Sequence, residues 1–263
     1  MLASRKIRDG ELQLGRPLSH MNDGNVVEQY QKALKTLSKV NIINPLYGRA
    51  FQEFGHNYVK LNNKEMALKS YSRAVRYNPS LQASWLGILG LDNAGKELIK
   101  LAEQNIIYLK NLPPELKSVL SFIHEDKLKK ADDLCRHFLK ISPHHIEAMK
   151  MLATICTKLH VYEDSEFLLE SCLVFEPDNI ELSIEYINLL IKRQKYSNAL
   201  KHAKKLYMEH PDHISVQFTY AITLQQTDNQ DEALSLYKEI LKTNPNNPQL
   251  YLSKGHLYKN FGF

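Results

Sequence analysis

Two histidine pairs and three cysteines are the residues whose type could support metal binding or nucleophilic chemistry. His144 and His145 are adjacent, just after Pro143, and His210 and His213 flank Pro211-Asp212. A tetrahedral metal site needs two further ligands. Neither pair has a cysteine or a second acidic ligand close in sequence, so both read as polar residues at helix starts. Cys135, Cys156 and Cys172 are odd in number and form no CxxC pair. Each falls on an inward helical register, which reads as a small buried thiol and a reducing, cytoplasmic compartment. There is no HExxH, no GxxxxGK followed by Ser or Thr, no GxSxG and no GxGxxG. Lys195, Lys201, Lys204 and Lys205 read as the wet face of a helix rather than a phosphate site. The expectation is therefore no catalytic residue, no metal ligand and no cofactor.

The prolines show what positions these side chains. Pro143, Pro177, Pro211 and Pro245 are 34 residues apart. Pro79 joins the same ladder after an irregular step of 64 residues. A fixed period of this length marks an array of helix–turn–helix units, each stacking on its neighbours to share one core. The unit ending past Pro79 has Phe51, Phe54, Gly55 and Tyr58 at helical spacing, then Asn62-Asn63, then Ala67, Leu68, Tyr71, Ala74 and Val75 on a second stripe. Asn tolerates the left-handed conformation of a helix stop. The residue before proline is pushed out of the α region, so Asn78-Pro79 closes the second helix. Gly55 and Ala67 let the two helices cross closely. The turns at Asn62-Asn63-Lys64-Glu65, Tyr162-Glu163-Asp164, Gln194-Lys195-Tyr196-Ser197 and Asp228-Asn229-Gln230-Asp231 supply polar stops and caps.

Bulk properties agree with a scaffold. Hydrophobic residues are 43% of the 263-residue chain, enough for a continuous core, and 34 Lys and Arg against 29 Asp and Glu give a net charge of +5. That charge is mild and mixed along the chain, so nucleic acid is not expected as a partner. No apolar run reaches the roughly 20 residues of a membrane span, and the first ten residues lack the apolar core of a signal peptide.

Aromatic and apolar positions around a glycine in the first helix, then Ala, an aromatic, Ala and Pro at these offsets, resemble the tetratricopeptide repeat. Residues 48–81 match at all eight marked positions. The resemblance implies an all-α superhelix, a right-handed solenoid of about six helical hairpins plus a terminal helix. Its divisions are an N-terminal hairpin at 1–45, repeats at 48–81, 112–145, 146–179, 180–213 and 214–247, a divergent unit at 82–111, and a first helix of an incomplete repeat at 248–263. That last stretch ends at Phe261-Gly262-Phe263 without a second helix. It would leave Tyr251, Tyr258, Phe261 and Phe263 open, either to self-association or to a continuing polypeptide. A narrower resemblance covers Tyr47 onward. Gly55-His56, Asn78 to Trp85, Pro113-Pro114 and Tyr251 to Lys259 look like the repeat region of bacterial tetratricopeptide-repeat sulfotransferase-family proteins. The chain lacks that family's phosphate cradle, so no catalytic residue carries over. The alternative to a free-standing scaffold is an accessory arm of such an enzyme.

The repeat resemblance also implies a groove. Its concave side is lined by first-helix positions, here Arg49, Gln52, His56 and Lys60, then Lys150, Thr154 and Lys158, Asn188 and Lys192, Phe218 and Gln225, and His256 and Lys259. Lys, Asn, Gln and His offer donors to a peptide backbone or an acidic segment. Capture of a chaperone's C-terminal carboxylate is not expected: Lys150 fits that pattern, but Thr154 and Glu185 break it. The expected function is protein or peptide binding, without nucleic acid or membrane.

Overall fold

The structure is a computed structural model and describes residues 23–227, 229–245, 251, 252 and 255. Among the described residues there are thirteen helices and no strand. They are α1 (Asp23–Ile43), α2 (Gly48–Lys60), α3 (Lys64–Tyr77), α4 (Gln82–Leu89), α5 (Lys96–Asn111), α6 (Pro114–His124), α7 (Leu128–Ile141), α8 (Ile146–Lys158), α9 (Tyr162–Phe175), α10 (Ile180–Lys192), α11 (Tyr196–Glu209), α12 (Ile214–Gln226) and α13 (Gln230–Thr243). The fold is all-α. The partner helix expected within residues 1–20 lies outside the described residues, as does most of 248–263; Tyr251 and Leu252 there are helical and exposed.

Two kinds of turn alternate, and each is dictated by a few residues. Between the first and second helix of a hairpin, one residue takes a left-handed conformation: Asn62, Asp126, His160 and Gln194, with φ of 54, 55, 62 and 58°. The next amide then bonds the carbonyl five residues back: Asn63 to Tyr58, Lys127 to Phe122, Val161 to Cys156 and Lys195 to Leu190, each at 2.9 Å. Asn229 repeats the bond to Leu224 at 3.1 Å. This closure satisfies a helix-end carbonyl with backbone alone. Side-chain capping, expected at all four turns, occurs at Asn63, whose Oδ1 accepts from the Met66 amide at 3.1 Å. Val161, Lys195 and Asn229 make no such bond, because the backbone bond already fixes the turn.

After the second helix comes the proline turn. Asn78, Ser142, Glu176, His210 and Asn244 are extended, with φ from −145 to −128° and ψ from 61 to 90°, as a following proline demands. Each donates its amide to the carbonyl four residues back at 2.9–3.0 Å. Asn44, before Pro45, does the same to Val40 at 2.9 Å, so α1 ends as the second helices do.

The helices fall into two compact units, one holding residues up to Lys117 with 124–126, the other 118–123 with 127 onward. In the first unit α1 to α5 pack each on the next, and α2 also packs on α4. Leu37 of α1 joins Phe51, Phe54, Ala74 and Leu81 in one core. In the second unit α7 to α13 pack likewise, with α10 on α12, around a core that includes Cys172, Leu190, Leu206, Tyr220, Leu224 and Tyr237.

Close crossings set the packing. Ala67, Ala131, Ala199 and Ala233 occupy one register of the second helices and are fully buried. Ser165 takes that register in α9, also fully buried; its hydroxyl donates to the Ala153 carbonyl at 2.9 Å and meets Thr157 Oγ1 at 2.7 Å. A polar atom is tolerated there because it is hydrogen-bonded. In the first unit, the Tyr71 ring lies between two glycines: a Cβ on Gly55 would sit 2.4 Å from it and one on Gly87 2.5 Å. Gly55→Ala and Gly87→Ala are each expected to destabilise by about 1–3 kcal/mol through overpacking. Gln194→Gly is expected to stabilise by roughly 1 kcal/mol by relieving a left-handed side-chain penalty. Urea unfolding midpoints of the variants check both signs.

Candidate functional site

The first helices carry the residues expected to face a partner. On α2, Arg49 pairs with Glu125, a carboxylate that is nearly buried. Gln52 Oε1 accepts from the Ser84 hydroxyl at 3.1 Å. His56 Nδ1 lies 2.9 Å from the Tyr71 hydroxyl, with the rings edge to face at 5.4 Å. Lys60 is exposed. These four share one face of a 13-residue helix.

In the second unit, Lys150 Nζ is 3.3 Å from Glu147 Oε2. Burial pulls the Lys150 ammonium down, but Glu147, Glu176 and Glu185 outweigh it and the net shift is upward. The Glu185 carboxyl is pushed up by desolvation, with Lys150 opposing and Glu147 adding to the rise. Thr154 Oγ1 donates to the Lys150 carbonyl at 3.0 Å. Lys158, Asn188 and Lys192 are exposed. Phe218 is half-buried, its ring 6.1 Å from that of Tyr237, and Gln225 Oε1 accepts from the Tyr237 hydroxyl at 3.1 Å. His256 and Lys259, with Tyr258, Phe261 and Phe263, lie outside the described residues. The three exposed lysines are in equivalent registers: Lys158 and Lys192 are 34 residues apart, and Lys60 precedes them with the irregular step between.

Sequence reasoning missed the tyrosines and the serine behind these side chains. The signal was present in part, because Tyr71 and Tyr237 hold the same register of their second helices. Ser84 carried none, since its contact spans 32 residues across a divergent hairpin. It also missed a charged lock between α9 and the α10–α11 turn. Glu166, with a side chain 11% exposed, is held by Arg193 and by Lys195 at 2.7 Å, and Arg193 reaches Glu163 at 2.6 Å.

The candidate nucleophiles are enclosed. Burial pushes the Cys135 thiol up to about 12, with Asp132 adding to it. Burial likewise raises Cys156 and Cys172 to about 11 each. All three are free and buried. The His145 ring caps α8, accepting from the Ala148 amide at 3.3 Å. Among the described residues no group of three or more His, Cys, Asp or Glu could hold a metal ion. Nor is any described helix long and apolar enough to cross a membrane.

Comparison with known proteins gives the hairpins a name. Family patterns described as tetratricopeptide repeat match residues 48–81 and 190–257. Both segments are thus similar in sequence to the tetratricopeptide repeat. A crystallised tetratricopeptide repeat protein from Parabacteroides merdae superposes with a TM-score of 0.52 at 17% identity, covering 82% of this chain and 74% of its own. That likeness bears on the repeat fold alone. YrrB, described as a repeat protein with an unusual peptide-binding site, gives 0.46 at 16% identity over 83% of this chain and 97% of its own, too loose to carry an argument. The anaphase-promoting complex subunit CDC16 of Saccharomyces cerevisiae is 25% identical over 196 residues, 70% of this chain. The chain spans about a quarter of that relative's length, 23%.

Three outcomes follow from this packing. Glu166→Ala is expected to cost about 1 kcal/mol by leaving Arg193 with Glu163 alone and Lys195 with water, visible as a lower unfolding midpoint. The buried thiols hold their protons in the native chain to about 11 or 12, but lose them near 9 when unfolded. The stability they confer is complete below about pH 9 and is lost as pH rises from there through 11 to 12. A disulfide-exchange reagent at about pH 8 should label no thiol of the native protein and all three in denaturant.

Proposed function

We propose that this chain is a non-enzymatic scaffold that holds a protein or peptide segment along the concave face formed by its first helices. The observation that carries this reading lies in the second unit, where Lys158 and Lys192 are exposed at one repeating register and neither is in an ion pair among the described residues; Lys60 holds the same register in the first unit. The other cations of α2 and α8, Arg49 and Lys150, already have carboxylate partners. Cations left unpaired on one face attract an acidic segment and speed its encounter. The relative from yeast is by name a subunit of a complex, which supports a role in assembly. The free, buried thiols support a reducing compartment, and we place the protein in the cytoplasm. The readings as an arm of a sulfotransferase and as a self-assembling chain rest on sequence alone.

A photo-crosslinking residue at Asn188, on the proposed face, tests this against one at Lys201, exposed on the second helix α11. In its own cells the protein should give discrete adducts from position 188 and none from 201. The Lys158→Glu/Lys192→Glu double variant should lose them about tenfold. Equal adducts from both positions, or none from either, overturn the reading.

A further inference from the structure

The hydrogen bonds behind the first helices decide which atoms those helices offer outward. Ser84 is fully buried and Tyr71 is 2% exposed. A buried hydroxyl left without an acceptor carries an uncompensated desolvation cost. The Ser84 hydroxyl meets that need on Gln52 Oε1 at 3.1 Å, which turns the amide oxygen to the interior contact and leaves the Gln52 NH2 as its available donor. The acceptor within reach of the Tyr71 hydroxyl is His56 Nδ1, at 2.9 Å. If Nδ1 carried the proton, the phenol hydrogen would be stranded in the interior. The paired arrangement therefore has Tyr71 donating to Nδ1 and the His56 proton on Nε2. Burial also pushes the Tyr71 phenol up to about 12, with Glu53 adding to it, so it remains a donor across the neutral range.

The same device recurs in the second unit. Tyr237, fully buried, donates to Gln225 Oε1 at 3.1 Å and leaves the amide NH2 of Gln225 as its available donor. In each case a hydroxyl from the interior takes the acceptor and leaves the donor.

We propose that the α2 face is a hydrogen-bond-donor strip, built by Ser84 and Tyr71, that selects an extended peptide rich in carboxylate and carbonyl acceptors. This rests on the peptide-binding reading above and names the ligand chemistry of that site. Gln52 and His56 supply the N–H donors, and Lys60 adds an unpaired charge at the helix end. An extended peptide presents carbonyls and alternate side chains along one edge. A cationic segment still offers its carbonyls, but it sets like charge against Lys60 and brings no carboxylate to the donors, so it binds more weakly. Single-stranded nucleic acid is disfavoured, since it needs aromatic platforms among the cations and the α2 phenylalanines, Phe51 and Phe54, are buried. Tyr71 and Ser84 are positioning residues: they act through His56 and Gln52.

The test uses the whole chain and three probes: a (Glu-Gly)5 peptide, its (Lys-Gly)5 counterpart, and a ten-nucleotide oligo-dT, followed by nitrogen-resolved NMR of side-chain N–H groups. The Glu peptide is expected to bind about tenfold more tightly than the Lys peptide and to shift the Gln52 NH2 and His56 Nε2–H resonances. Free His56 is expected to be in the Nε2–H tautomer. Tyr71→Phe should divide it between tautomers and weaken the Glu peptide about two- to fivefold, the loss of its competent fraction, while helix content is unchanged. If Tyr71→Phe does not fold, Ser84→Ala frees Gln52 by the same logic and should weaken the peptide similarly. Equal or tighter binding of the Lys peptide on α2 overturns the donor strip while leaving peptide binding intact. An Nδ1–H tautomer overturns it as well, and tighter oligo-dT overturns the choice of peptide. No shift on any first helix with either peptide removes the peptide-binding reading along with it.

Discussion

Each hairpin depends on two helices approaching closely where one of them has almost no side chain. Ala67, Ala131, Ala199 and Ala233 are fully buried at that register, and a larger group there would force the helices apart at a cost of about 1–3 kcal/mol. A single helix of 13 or 14 residues is marginal alone in water. The crossing turns two such helices into a pair, and the pair still has an apolar stripe left to bury against the next. Stability in such an array is approximately a sum over units and their shared faces. Ser165 shows how narrow the requirement is: size is kept, and polarity is accommodated by two hydrogen bonds.

The interior of these hairpins also shapes their outer chemistry. Tyr71 fills the space that Gly55 and Gly87 leave, and its hydroxyl reaches His56 on the first-helix face. Tyr237 does the same for Gln225 from the other compact unit. A side chain chosen for packing thus fixes the orientation of one available for recognition. The charged lock of Glu166 with Arg193 and Lys195 has a different use. It ties a second helix to the turn of the next hairpin and leaves the candidate face untouched.

Much of the fold was legible because its signals are local. Proline forbids the helical conformation in the residue before it, so Asn78, Ser142, Glu176, His210 and Asn244 could be read as ends from their neighbours alone. The left-handed stop at Asn62 was legible because Asn tolerates that conformation. His160 and Gln194 adopt it too, though neither residue type announces it; the backbone bond across the turn pays their strain. Expected side-chain caps at Tyr162 to Asp164 and at Gln194 to Ser197 therefore gave way to backbone closure.

The sequence by itself determined the period, the positions of the helix ends, the small residues at the crossings and the choice of side chains along each first helix. These follow from neighbours three, four or thirty-four positions away, distances that a repeated pattern encodes. Only the tertiary structure decided what those side chains present. Whether Gln52 shows its oxygen or its nitrogen depends on a serine 32 residues later, and which nitrogen of His56 carries the proton depends on a tyrosine on the opposing helix. Amide and imidazole groups hold both a donor and an acceptor. Composition leaves the choice between them open, and a buried hydroxyl that must be paired makes it.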